Sequence, residues 1–238
     1  MTKIKNSATE SNYFNFNDLN SKDSSINYSY FDGWNGLEIF KFKLIKNDIL
    51  TKSFINFKIK NTEIKETIFV TTEGKLEVTL DDKKEILKEY DAVNFFYEPT
   101  EYQIKALENS TMYLVSAKAK QDKNKDPFFF NFKEDVRAKD LWGGQCISRP
   151  YEGGEITLVL FDLKAGFKFE DKGHKNEQIT WLIKGEMSFY ANNKHEKLFL
   201  DKGVDIGPNH LHGGVSNGAI GFDAFFPKRE EVKYKKNI

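Results

Sequence analysis

Alternation of apolar and polar residues dominates this chain. KLEVTL (75–80), TMYLVSAKA (111–119), EITLVLFDL (155–163) and QITWLIKGEMSFY (178–190) all carry it. A period of two puts successive side chains on opposite faces of a strand, so each run predicts a strand with one face buried. Helix signals are scarce. DDKK (81–84) and NNKH (192–195) have the composition of hairpin turns between such runs. Many short strands with regularly recurring turns predict an all-β fold, a barrel or jelly roll.

The pattern also repeats. ETIFVTTEGKLEVTLDDKKEILKEYDAVNFFYEPTEYQ (66–103) lies over EQITWLIKGEMSFYANNKHEKLFLDKGVDIGPNHLH (177–212). Glu66 matches Glu177, Gly74 matches Gly185 and Pro99 matches Pro208. A looser match joins SYFDGWNGLEIFKFKL (29–44) to DLWGGQCISRPYEGGEITLVL (140–160). The expectation is two copies of one barrel unit, residues 1–120 and 121–238. The lysine-rich stretch KAKQDKNKDP (118–127) serves as the solvated connection.

Composition narrows the function classes. Lys plus Arg and Asp plus Glu are 36 each, so the net charge of zero argues against a nucleic-acid or membrane-surface partner drawn by bulk charge. The 22 phenylalanines suit strands and aromatic barrel interiors. Cys146 is the single cysteine, which excludes an intramolecular disulfide and fits a reducing, cytoplasmic setting. The polar start, MTKIKNSATESNYFNFND, lacks the apolar core of a signal peptide, and no apolar run has the length of a membrane span.

All four histidines fall between Gly166 and Asn217. This region resembles the cupin family. Gly166 and Gly185 frame a first motif, in which Lys172, His174 and Gln178 stand at the ligand positions. Gly203, Pro208, His212 and Asn217 follow the order of the second. HKNEQI (174–179) and AFFPKREEVKY (224–234) resemble the two-cupin isomerases of bacilysin biosynthesis and the cupins that open unsaturated uronate rings. The resemblance implies two tandem cupin jelly-roll barrels, with a divalent transition metal (Zn, Fe, Mn, Co or Ni) in the carboxy-terminal one. It also implies isomerase or tautomerase chemistry on a small, anionic, carboxylated or keto-sugar-like substrate, and a homodimer with Trp181 and FFFNF (128–132) as candidate contacts.

Two departures from the motif shape the expectations. Lys172 replaces the first histidine, and a cation there opposes a metal unless it turns outward. The amino-terminal copy has Glu63, Thr67 and Gln103 at its ligand positions, which predicts a metal-free barrel. His174 and Gln178 share parity in an extended segment and should face one side. His210 and His212 are also two apart, so His210 is a candidate replacement ligand, giving His174, Gln178, His210 and His212. Otherwise His210 is the candidate catalytic base. Glu177 and Trp181 have the outward parity, and Glu177 is expected to pair with a lysine. The alternatives are a non-catalytic sugar-binding or regulatory cupin with a decayed site, and a lyase or dioxygenase on the same barrel.

Overall fold

The computed structural model describes residues 10–19, 21, 26–59, 65–80, 83–95, 101–119 and 126–229. The strands in chain order are β1 Asn12–Asn15, β2 Asn27–Asp32, β3 Glu38–Leu44, β4 Ile49–Thr51, β5 Lys65–Glu73, β6 Leu76–Leu80, β7 Lys83–Leu87, β8 Asp91–Phe95 and β9 Tyr102–Ala106. They continue with β10 Ser110–Lys118, β11 Phe128–Asn131, β12 Lys139–Leu141, β13 Cys146–Glu152, β14 Thr157–Asp171, β15 Glu177–Ala191, β16 Lys194–Phe199, β17 Lys202–Ile206 and β18 His212–Phe226. One α-helix, Lys52–Ile59, is present among the described residues. The all-β expectation holds. Where the alternation is strict, burial follows it: LEVTL in β6 reads buried, half-buried, buried, half-buried, buried. No helix among the described residues is long and apolar enough to cross a membrane.

The chain divides into two compact units. The first comprises Leu19–Phe31 and Glu38–Val136. The second comprises Thr2–Asp18, Asp32–Leu37 and Arg137–Ile238. The division is therefore not a single cut at residue 120. β1 pairs with β17, and β11 pairs with β8, so each copy is completed by a strand that precedes the other copy in sequence. The two additions share a register. Asn12 faces Asp205 and Phe128 faces Asn94, while Phe16 N–H bonds Asp201 O as Phe132 N–H bonds Tyr90 O. Most of the lysine-rich linker (120–125) lies outside the described residues, as do Glu63 and Pro99.

In the first unit a six-stranded sheet, β11-β8-β5-β10-β3-β2, accompanies a four-stranded one, β4-β9-β6-β7. Its interior is filled by rings: Phe40 stacks on Phe42 at 5.9 Å, and Phe95 packs against Phe69 at 5.5 Å and Tyr102 at 5.3 Å. Two of the three candidate ligand positions of this copy lie among the described residues. Thr67 is buried against the Ser116 hydroxyl at 3.2 Å, and Gln103 faces solvent.

The second unit is one eight-stranded sheet, β1-β17-β15-β18-β14-β13-β12, with β16 attached to β15. β14, β15 and β18 are 15 residues each. Their ladders shift register at Ala165/Lys168, Leu182/Lys184 and Gly185/Met187, and such bulges bend long strands so that a sheet can curl over its own core. Gly185 has φ +73°, and a Cβ there would lie 1.8 Å from Gly218 O. Gly74, its partner in the repeat, has φ +83° and is also crowded, by Asn109 O at 2.4 Å. Only glycine fits both the dihedral and the close approach.

Two outward-parity residues of β15 are not at the surface. Glu177 is buried and accepts backbone N–H groups from Asn35 at 2.8 Å and Leu37 at 2.9 Å, in place of the expected lysine partner. Burial pushes its carboxyl up to about 7 against the pull of those amides, and pushes Asp205, with Glu177 beside it, to about 9. Trp181 is fully buried with its ring stacked on Phe222 at 5.4 Å, so it offers no surface to a partner chain. Phe128, in the other candidate contact segment, is exposed.

Candidate metal centre

Three side chains of the second unit bring donor atoms within 4.8 Å of one another: Asp171, His174 and His212. Asp171 ends β14, His174 lies in the connection to β15, and His212 opens β18. Gln178 joins them from β15, with its Oε1 2.8 Å from His174 Nε2. Of the four ligands expected from sequence, His174, Gln178 and His212 are brought together. His210 is not. Its ring turns to the other side, where Nδ1 meets Ser11 Oγ at 2.8 Å and the imidazole lies over Gly207. The residue precedes β18 in the Gly207–His210 turn, where strand parity does not apply. His195 lies exposed on β16, away from the site.

Asp171 takes the place left by the missing motif histidine. Gly173 makes this possible. Its φ of +99° breaks the two-residue period, so Asp171 and His174 reach one site while Lys172 between them is exposed. The backbone is fixed there from two directions. Gly173 N–H donates to Asp171 Oδ1 at 2.9 Å, and Asn209 N–H donates to His174 O at 2.7 Å. The second bond pins the proline turn to the first motif, which places His212.

Each donor is oriented by a neighbour. His212 Nδ1–H donates to His210 O at 2.9 Å, which leaves its Nε2 bare. The Gln178 amide donates from Nε2 to Thr180 Oγ1 at 3.0 Å and Asp223 Oδ1 at 3.1 Å, so its carbonyl end faces His174. Asp171 Oδ2 accepts from Arg229 at 3.0 Å. Arg229 N–H is itself held by Thr157 Oγ1 at 3.1 Å.

The electrostatics suit metal binding. Burial, with Arg229 nearby, lowers His174 to about 4, and burial also lowers His212, so both imidazoles are neutral at neutral pH. Burial works to raise Asp171, but His212, the Gly173 amide and Arg229 together hold it below the ordinary carboxylate range. Burial raises Asp223 to about 6 against the bonds from Thr180 and Gln178. Among the described residues His174 Nδ1 is buried with no hydrogen-bond partner. Two neutral imidazoles, an amide oxygen and a carboxylate form a donor set that suits a divalent transition metal.

The site opens into a pocket with about 50 Å³ of free cavity volume. Asp171, Gln178, Thr180, His212, Asp223 and Arg229 form its polar part, and Phe161, Phe167, Phe169, Phe189 and Phe225 are among its apolar walls. Cys146 lines it as a buried free thiol pushed up to about 12 by burial and nearby aspartates. The first copy lacks this chemistry at matching ladder positions. Thr180 faces Asp223 in the second unit, whereas Phe69 faces Leu114 in the first. Sequence reasoning missed Asp171, Asp223 and Arg229. Only Asp171, one residue from the motif position and two before a glycine, carried a local signal.

No family model and no curated protein matches this sequence. Solved structures match it by fold. A putative glyoxylate-induced protein from Pseudomonas aeruginosa superposes with a TM-score of 0.73 at 9% identity, covering 94% of this chain and 92% of that one. A cupin 2 conserved barrel domain protein from Leptotrichia buccalis gives 0.63 at 15% identity, covering 90% and 96%. Oxalate decarboxylase from Bacillus subtilis, a protein with Mn(II) centres, gives 0.69 at 10% identity, covering 92% and 78%. The chain has the cupin fold. Identities this low carry the fold and leave the chemistry to be argued from the site.

Proposed function

We propose that the second unit is a metal-dependent enzyme site for a small carboxylated or keto-sugar-like substrate, and that it works as an isomerase or tautomerase. The observation that carries this reading is the convergence of Asp171, His174, Gln178 and His212 at a pocket that Asp223 and Arg229 also line. Asp171, His174, Gln178 and His212 would hold a divalent ion, which would supply Lewis-acid polarisation of a substrate oxygen. Arg229 places a cation at the pocket, suited to a substrate carboxylate. Asp223 is the base that the site offers in place of His210. With a pKa of about 6 it is ionised at neutral pH and close enough to neutrality to return a proton. It takes a proton from the carbon next to a carbonyl, the electron pair spreads onto the carbonyl oxygen, and the proton is delivered to a different carbon or oxygen.

Two measurements test the proposal. Elemental analysis of protein purified without added metal, followed by titration with Zn, Fe, Mn, Co and Ni, should find one ion per chain. The loaded protein should then catalyse exchange of carbon-bound hydrogen with D2O in small 2-oxo acids or keto sugars, read by NMR. Absence of metal after titration with all five ions defeats the reading and favours a binding module. Metal without exchange favours the lyase or dioxygenase class.

A further inference from the structure

We infer that Ser11, just before β1, is a positioning residue for His212, so that the amino-terminal segment is part of the metal site. This rests on the metal reading above. Ser11 is buried, with 2% of its surface exposed. Its Oγ accepts Gly207 N–H at 3.3 Å, so its own O–H is free to donate to His210 Nδ1 at 2.8 Å. That bond fixes the His210 ring over Gly207, where a Cβ would lie 2.4 Å from the ring. The backbone of the same turn is closed by His210 N–H donating to Gly207 O at 3.2 Å. The carbonyl of His210 then receives His212 Nδ1–H at 2.9 Å.

A continuous chain of bonds thus runs from Ser11 through His210 to His212. Nothing holds the far end loosely. Lys194 Nζ donates to Ser11 O at 3.1 Å, and β1 continues into the ladder with β17. The histidine that the site does not use as a ligand is used to set the one that it does. If Ser11 is lost, the turn is free to rotate its 210 carbonyl, and His212 loses the acceptor that keeps the proton on Nδ1 and Nε2 bare.

The test uses the full chain with Ser11→Ala, Ser11→Thr, His210→Ala and the Ser11→Ala/His210→Ala double variant. Metal affinity is measured with Zn and Mn, and ring tautomers by 15N shifts of labelled histidine in metal-free protein. Ser11→Ala should weaken binding about 10-fold, the lower end for loss of an outer partner of a ligand. Ser11→Thr should restore it, and the double variant should be no worse than His210→Ala alone, because the two act in series. In metal-free Ser11→Ala, His212 should leave its single Nδ1–H form. Affinity and His212 shifts unchanged in Ser11→Ala, or strictly additive losses in the double variant, would overturn the inference. If the wild type takes up no metal, the functional reading falls. The ring shifts then decide alone: a moved His212 tautomer supports the Ser11 role, and an unmoved one overturns it.

Discussion

Asp223 accepts an N–H from the Gln178 amide at 3.1 Å, and this contact decides which end of the amide faces His174. An ionised carboxylate only accepts hydrogen bonds, so the Gln178 NH2 must point to it and the carbonyl must point away. The same carboxylate accepts the Thr180 hydroxyl at 2.5 Å. On the proposed reading, orientation of a metal ligand and supply of a base would meet in this one side chain.

Asp223→Asn and Asp223→Ala should separate those two roles. Asparagine keeps an acceptor oxygen for Gln178 and removes the base, so metal affinity should persist while exchange falls by about 10²–10⁴-fold. Alanine removes the acceptor too, and affinity should drop by about 10–100-fold. Isothermal titration with metal, alongside the exchange assay, reads both. Equal exchange rates in Asp223→Asn and wild type would remove Asp223 from the chemistry.

Lys172→His should leave metal affinity unchanged. The side chain at 172 faces solvent, so restoring the family's histidine there adds no donor to the site. Asp171→Ala should instead weaken binding by more than the roughly 10–100-fold typical of an outer partner, because it removes a ligand. A Lys172→His variant that binds metal more tightly than wild type would show that residue 172 reaches the cavity.

Stability should fall as pH rises toward neutrality through Glu177. Burial puts its folded pKa at about 7, above the ordinary 4.5. Below about pH 4.5 the carboxyl is protonated in both states, and its contribution is complete. Between about 4.5 and 7 the unfolded chain has lost the proton and the folded one keeps it, so the contribution is lost, on the order of 3 kcal/mol over that window. Asp205, raised to about 9, extends the decline upward. Thermal melts of Glu177→Gln from pH 5 to 8 should show a flatter profile than wild type. A parallel profile would mean that Glu177 is ionised throughout.

Gly185→Ala and Gly74→Ala should both destabilise. Each position combines a left-handed φ with a carbonyl closer than any real Cβ contact. The dihedral alone costs about 1–3 kcal/mol, and the clash adds to it. Denaturant melts read the loss. An unchanged midpoint at either site would mean that the tight turn opens without cost.

The fold was legible because strand alternation and the repeat are long-range averages that no single residue can spoil. The site was legible only where its residues stayed in register. His174, Gln178 and His212 lie in or next to extended segments, so parity and spacing point to residues that the structure brings together. Asp171 was hidden because one glycine in a left-handed conformation shifts the face by a residue. His210 misled for the matching reason, since it sits in a turn and its spacing from His212 carries no strand parity. Asp223 and Arg229 join through the β15–β18 pairing and the segment after it, and nothing near them in sequence announces that role. Glu177 has outward parity in the sequence, and residues 33–37, which cover it, lie about 140 positions away.

The exchange of strands between the two copies sets a timetable for making this protein. Asn12 pairs with Asp205, so β1 leaves the ribosome almost 200 residues ahead of the strand it pairs with. At typical synthesis speeds of 5–20 residues per second, that wait is roughly 10–40 s. Throughout it, Phe14 and Phe16, both buried in the finished fold, have no barrel to enter. The strand that precedes the first repeat is thus made long before it can be folded. A cell making this chain must keep that apolar segment from pairing elsewhere until the second repeat has been translated.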